Sequence, residues 1–216
     1  MQKTFHLNGK AVKPGERKTL EIHLSRLADH TDMSLTTHVI HGKNEGPVMF
    51  VSAAVHGDEI IGVEIIRRIA AVAAMKRLRG TLILVPIVNA YGFIALSRYL
   101  PDRRDLNRSF PGSKKGSLAS QLANKFMTEI VAPSHYGIDL HSGAVHRDNL
   151  PQIRADLDDP EVFLLAKAFG ASIMLNANLR DGSLRSSAKD NGCKILLFEA
   201  GEALRFNEVA IRVGVA

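Results

Sequence analysis

Tryptophan is absent, cysteine occurs once, and aromatic residues make up only 6% of this 216-residue chain. Each shortage excludes something. A single cysteine, Cys193, rules out an internal disulfide framework and fits a reducing compartment. Few aromatics leave little with which to stack nucleic-acid bases. The basic residues are scattered, with no reader motif among them, so the net charge of +6 and pI near 9.6 do not make a nucleic-acid-binding module. The same excess would suit a membrane surface or an anionic small molecule, and charge alone does not choose between them. No segment reaches the roughly 18 apolar residues of a membrane span. The opening "MQKTFHLNGKAVKPGERK" lacks the apolar core of a signal peptide, so the expected location is the cytoplasm.

What the chain does contain is enough apolar material for a sizeable core, 45% hydrophobic against 23% charged residues, and a length that suits one domain over 1–216. Apolar runs of strand length fall at 17–24, 35–42, 47–55, 81–88, 136–141, 171–176 and 193–200. Several are apolar throughout, as strands covered on both faces are. Helical patterns lie between them at 59–78, 117–131 and 160–169, the last opened by Asp159 as N-cap and Pro160 as first helical residue. This alternation predicts an α/β fold with a largely parallel sheet. The stretch from Ser97 to Gly116 breaks the pattern, with six basic residues and a late cluster of Pro111, Gly112 and Gly116. Long loops past strand ends are where sites are built in such folds.

Two strand ends carry metal-binding chemistry. In "FVSAAVHGDEIIGVEIIRRI" an apolar strand is expected to run to Val55, Asp58 to cap the following helix, and Glu59 to sit in its first turn. His56 and Glu59, three apart across that turn, can converge on one point. In "YGIDLHSG", His141 ends a second strand, and alternation puts Asp139 on the same side, where it can orient the imidazole. His56, Glu59 and His141 would give zinc three protein ligands and leave a position open for water. The alternative is two loop histidines satisfied by hydrogen bonds and a glutamate that favours a helix dipole.

The order HGDE, DLNRSFPG, DLHSG and FEAGE resembles the succinylglutamate desuccinylase and aspartoacylase family, zinc-dependent acyl-amino-acid hydrolases related to metallocarboxypeptidases. The likeness runs from about Pro14 to the end of the chain. It implies a three-layer fold, with helices on both faces of a mostly parallel mixed sheet, and one zinc on His56, Glu59 and His141. It also implies a substrate carboxylate held by Asn107 and Arg108, and Glu199 as the acid that activates water. Arg98 is the first choice for the arginine that polarises the scissile carbonyl, Arg104 the second. His146 stands where the family often has a small residue, which leaves room for a local substrate role. The expected reaction is hydrolysis of the amide of a small anionic N-acyl amino acid. A carboxypeptidase-like peptidase and a zinc domain without catalysis are the alternatives. The family commonly continues into a C-terminal lobe of mainly β character that this sequence does not include. An apolar edge left by that lobe would favour a homo-oligomer or a partner.

Overall fold

Consecutive residues of the central strands enter opposite cores. Phe50, Ile83 and Ile195 join one hydrophobic cluster, while their neighbours Val51, Leu84 and Leu196 join the other. Period-2 side chains that are apolar on both sides require cover on both faces, and the computed structural model, which describes residues 2–27 and 29–216, provides it.

Among the described residues the main sheet has eight strands: β3 (Arg17–Arg26), β4 (Asp32–His41), β5 (Asn44–Ala53), β6 (Arg79–Val85), β7 (Tyr136–Gly143), β8 (Asn149–Ala155), β9 (Ile173–Asn176) and β10 (Lys194–Glu202). Their order is β3-β4-β6-β5-β7-β10-β8-β9. The pairs β6/β5, β5/β7, β7/β10 and β8/β9 are parallel, while β3/β4, β4/β6 and β10/β8 are antiparallel. A small hairpin, β1 (Phe5–Leu7) with β2 (Lys10–Val12), packs Leu7 and Val12 into the first cluster. Helices α1 (Ile61–Ala71), α4 (Pro160–Phe169) and α6 (Glu208–Val215) cover one face. The short α2 (Ala90–Ile94), α3 (Leu118–Phe126) and α5 (Leu184–Asp190) cover the other. None of these helices is long and apolar enough to cross a membrane.

The chain leaves β5 through α1 to reach β6 on one side, then passes through α3 to reach β7 on the other side of β5. The crossovers therefore part at the carboxyl ends of β5 and β7, and a crevice opens there.

Several expected boundaries shift. Strand β5 stops at Ala53, where Ala54 takes a left-handed φ of 51°, and α1 begins only at Ile61, so His56 and Glu59 both lie in the turn between them. Asp58 does not cap the helix. The N-cap is Ile60, without a side-chain hydrogen bond, and the main-chain carbonyl of Asp58 instead accepts from the Leu204 amide at 2.8 Å. The helix expected over 59–78 ends at Ala71, because the chain extends at Val72 (ψ 129°) before a 3-10 turn at Ala73–Arg77. The pattern over 117–131 is α3 from its Ser117 cap, followed by a π turn over Met127–Val131. Asp159 caps α4 as expected, its Oδ1 accepting from the amides of Glu161 and Val162.

Helix α1 approaches the sheet closely because Gly62 has no side chain. A Cβ there would lie 2.7 Å from the Cβ atoms of both Ala53 and Leu140. Gly→Ala in a helix ordinarily gains up to about 1 kcal/mol. At this position Gly62→Ala is expected to reverse sign and cost roughly 1–3 kcal/mol by overpacking, read from urea unfolding. A gain in stability would show that α1 can lift off the sheet freely. Cys193 is buried in the cluster on the opposite face of the sheet, and burial pushes its thiol pKa up to about 12. It is expected to resist alkylation at pH 8 until the chain unfolds.

Candidate active site and metal centre

The register of the sheet gathers the polar residues. Asp139 pairs with Ser52 and Leu197, and His141 pairs with Glu199, so all five face the side of the sheet covered by α3 and α5. At that end lies a cleft of about 350 Å³ whose walls include His56, Glu59, His141 and Glu199.

His56, Glu59 and His141 are 4%, 2% and 3% exposed, and one potential ligand atom from each lies within 4.8 Å of the others. Glu59 stands between the two rings: His56 Nδ1 is 2.7 Å from its Oε1, and His141 Nδ1 is 2.8 Å from its Oε2. The Ser142 amide donates to the same Oε2 at 3.1 Å. Each imidazole is held from behind by a carboxylate. His141 Nε2 donates to Asp139 Oδ2 at 2.6 Å, and the other Asp139 oxygen accepts from Ser52 Oγ at 2.8 Å. His56 Nε2 donates to Asp105 Oδ1 at 3.1 Å. Both rings thus turn Nδ1 inward.

The donor set fits a metal of the zinc type. Two imidazole nitrogens and one carboxylate converge, each imidazole is oriented by an acid, and an open cleft faces them. In the metal-free chain the same groups form an ion cluster. Burial would depress His141, but the charges of Asp139 and Glu59 outweigh it and hold its pKa well above the ordinary imidazole value. His56 is raised too, burial being overcome by Glu59 and by the hydrogen bond to Asp105. Burial would raise Glu59, yet the two histidines keep it far below the usual carboxylate range. Asp105 is likewise low, its burial overcome by His56 and Arg98.

Asp105 was not among the residues nominated from the sequence, and it is the hub of the loop that precedes α3. Its Oδ2 accepts from Arg98 Nε at 3.3 Å and Nη2 at 3.1 Å, and its Oδ1 also accepts from the Asn107 amide at 2.8 Å, capping a 3-10 turn over Leu106–Arg108. The signal was present as the first letter of DLNR, an Asx-type cap two residues before the asparagine. The turn presents Asn107 and Arg108 to the cleft. Asn107 Oδ1 accepts from the Leu184 amide at 2.9 Å, which fixes the amide plane and leaves Nδ2 as the donor it can offer. Gly182, at φ 72°, lets the loop before α5 pass against this turn, where a Cβ would meet Arg108 O at 2.7 Å.

Arg98 reaches the site, donating from Nη1 to Glu59 Oε1 at 3.2 Å. Arg104 does not. The segment Leu100–Arg104 closes on itself, with the Leu100 amide bonded to Arg104 O at 3.2 Å and Arg103 at φ 60°, so the Arg104 side chain is exposed, 3.8 Å from Asp102. His146 is exposed outside the cleft wall, and its backbone amide donates to Glu202 Oε1 at 2.7 Å. Glu202 also pairs with Arg205 at 3.2 Å, a structural role. Glu199 lines the cleft, with Oε2 accepting from Arg154 and Asn149 of β8. Among the described residues six arginines line the cleft: Arg98, Arg108, Arg147, Arg154, Arg180 and Arg185. The last four were not singled out in the sequence. Arg185 is buried, and its pKa is lowered by burial and then by the charge of Arg154.

Residues 45–216 match the family model of the succinylglutamate desuccinylase/aspartoacylase catalytic domain. The chain belongs to this family. It is 35% identical over 135 residues to the N-alpha-acetyl-L-2,4-diaminobutyric acid deacetylase of Halomonas elongata, a match covering 60% of this chain and 40% of that enzyme. The product-bound ectoine utilization protein EutE (DoeB) of Ruegeria pomeroyi superposes with a TM-score of 0.82 at 25% identity, over 93% of this chain and 63% of that one. A metallo-carboxypeptidase of Burkholderia cenocepacia shares the fold at a TM-score of 0.68 and 14% identity, over 91% of this chain and 62% of that one. This chain thus spans less than two thirds of the length of each.

The acids beside both imidazoles raise their affinity for protons, so zinc competes with protons for these ring nitrogens. Zinc uptake at neutral pH is expected to release protons, measured as a dependence of binding heat on buffer ionisation, and affinity should fall as pH is lowered. Asp139→Asn and Asp105→Asn should each weaken zinc binding roughly 10- to 100-fold. Buffer-independent heats, or unaltered affinity in both variants, would contradict this picture of the site.

Proposed function

We propose that this protein is a zinc-dependent amidohydrolase that removes the acyl group from a small anionic N-acyl amino acid, acting in the cytoplasm. The observation that carries the reading is the buried His56, Glu59 and His141 donor set at the base of an arginine-lined cleft, with Glu199 directly across the strand pairing from His141. The deacetylase relative supports the reaction class, and the single cysteine supports a reducing compartment.

When bound, zinc on these three residues would supply Lewis acidity and a water of lowered pKa. The chain's own residues would do the rest. Asn107 Nδ2 and the guanidinium fork of Arg108 bind the substrate carboxylate, which sets the scissile amide at a fixed depth in the cleft. Arg98 turns one donor toward the oxygen that gains charge during attack. Glu199 accepts a proton from the attacking water and returns it to the leaving nitrogen. Arg147, Arg180 and Arg185 add positive potential, which favours a substrate with more than one negative group.

Zinc content together with a screen of N-acetyl and N-succinyl amino acids tests the reading, and a zinc-loaded chain inert toward all of them would sink it. Given a substrate, Glu199→Gln is expected to keep its zinc while turnover falls by ~10²-fold or more. Arg108→Lys keeps the charge but loses the fork, and should weaken carboxylate binding by roughly 2 kcal/mol. Unchanged inhibitor affinity in that variant would make Arg108 a surface cation.

A further inference from the structure

We infer that Arg154, assisted by Asn149, is a positioning residue for Glu199: the two hold its Oε2, so that Oε1 is the oxygen that accepts and returns the proton. The inference rests on the hydrolase reading above and adds to it a residue on a strand that carries none of the metal ligands.

The geometry is that of a fixed carboxylate. Arg154 Nη1 donates to Glu199 Oε2 at 3.2 Å, and Asn149 Nδ2 donates to the same oxygen at 3.3 Å. Among the described residues no hydrogen bond reaches Oε1. Strand β10 lies between β7, which carries His141, and β8, which carries both donors. Register pairs Arg154 with Leu197 and Gln152 with Glu199, so Arg154 and Glu199 are diagonal neighbours on one sheet face. A shift in register between Glu199 and Gly201 pairs Gly201 with Asn149 and brings this second donor to the same oxygen. Both donors draw Oε2 toward β8, the side of β10 away from His141. The carboxylate plane is then set, and its other oxygen is left to the cleft.

The environment makes this more than a surface pair. The Glu199 side chain is only 18% exposed, and both arginine and glutamate line the cleft. A carboxylate on a flexible stem samples several rotamers, and a proton must be collected and delivered along defined directions, so a fixed oxygen raises the fraction of productive encounters. An arginine suits this task because its planar fork can hold one oxygen while its remaining donors face elsewhere.

The experiment uses the full chain loaded with zinc. Arg154→Met keeps most of the stem and removes the donors, while Arg154→Lys keeps a single mobile cation. The expected result for Arg154→Met is a roughly 10- to 100-fold fall in kcat, the scale of an orienting partner, with zinc content and Tm unchanged and partial recovery in Arg154→Lys. In the Glu199→Gln background the same substitution should cost less than about twofold, because the group it positions no longer takes a proton. A crystal structure of Arg154→Met should show the Glu199 carboxylate swung from its present place. Equal losses in both backgrounds, a rise in KM alone, or a Glu199 carboxylate that stays where it is would each overturn the inference. Should Arg154→Met fail to fold, Asn149→Ala and Arg154→Lys carry the same comparison, with smaller losses in the same direction. A zinc-loaded wild type without turnover defeats the hydrolase reading itself, and the inference falls with it.

Discussion

A carboxylate 2% exposed, wedged between two imidazoles and beside an arginine, is the interaction on which the rest of this structure depends. Taking an ion out of water costs several kcal/mol, and only good pairing offsets it. Glu59 has that pairing from His56, His141, Arg98 and the Ser142 amide, and the histidines in turn have Asp105 and Asp139. No member can be removed without leaving a buried charge uncompensated. The cluster therefore ties the turn after β5 to the end of β7 and to the loop before α3.

The basic balance of the sequence has a local meaning as well. Of the cleft arginines, Arg98 and Arg154 are spent on acids, and Arg185 donates to the main-chain carbonyls of Ala177 and Asn178. Arg108 bonds to the neighbouring carbonyl of Asn107 and lines the cleft. A concave wall lined this way focuses positive potential on a small volume.

The sequence was most legible where one period ran long. Every strand nominated from an apolar run is present within a few residues, and α4 and its Asp159 cap fall where the pattern put them. The convergence of His56, Glu59 and His141 was legible because strand ends in an α/β sheet converge, even though the particular turn was misread: Ile60, not Asp58, starts α1, and Glu59 precedes the helix. Strand β8 was missed because Pro151 interrupts its run, and proline weakens a strand reading wherever a ladder amide is needed. With β8 went Arg154. Arg180 and Arg185 were missed because a serine-rich stretch of seven helical residues carries no clear apolar stripe, so α5 could not be told from a loop. That Arg98 reaches Glu59 and Arg104 does not follows from the folding of one short turn, which no spacing rule resolves.

The strand register finally decides what can meet what. Adjacent strands stand about 4.8 Å apart, and side chains directly opposite share a face. Pairing β10 with β7 puts Glu199 beside His141, while pairing it with β8 puts Glu199 beside Gln152 and one step from Arg154. A slip of one residue on either side would turn Glu199 toward α1, α4 and α6 and bring Phe198 or Ala200 into the cleft. Such a slip would carry the Glu199 carboxylate out of the polar cleft into the apolar cluster of Leu196, Phe198 and Ile211, where its charge would be unpaired. Strand β10 is also the last strand of the sheet in the chain, and it lies between two strands that precede it. Because β10 is hydrogen-bonded to β7 on one side and to β8 on the other, the one residue Glu199 is flanked by His141 and by Gln152 and Arg154, and neither neighbour can be moved without disturbing the register of the same strand.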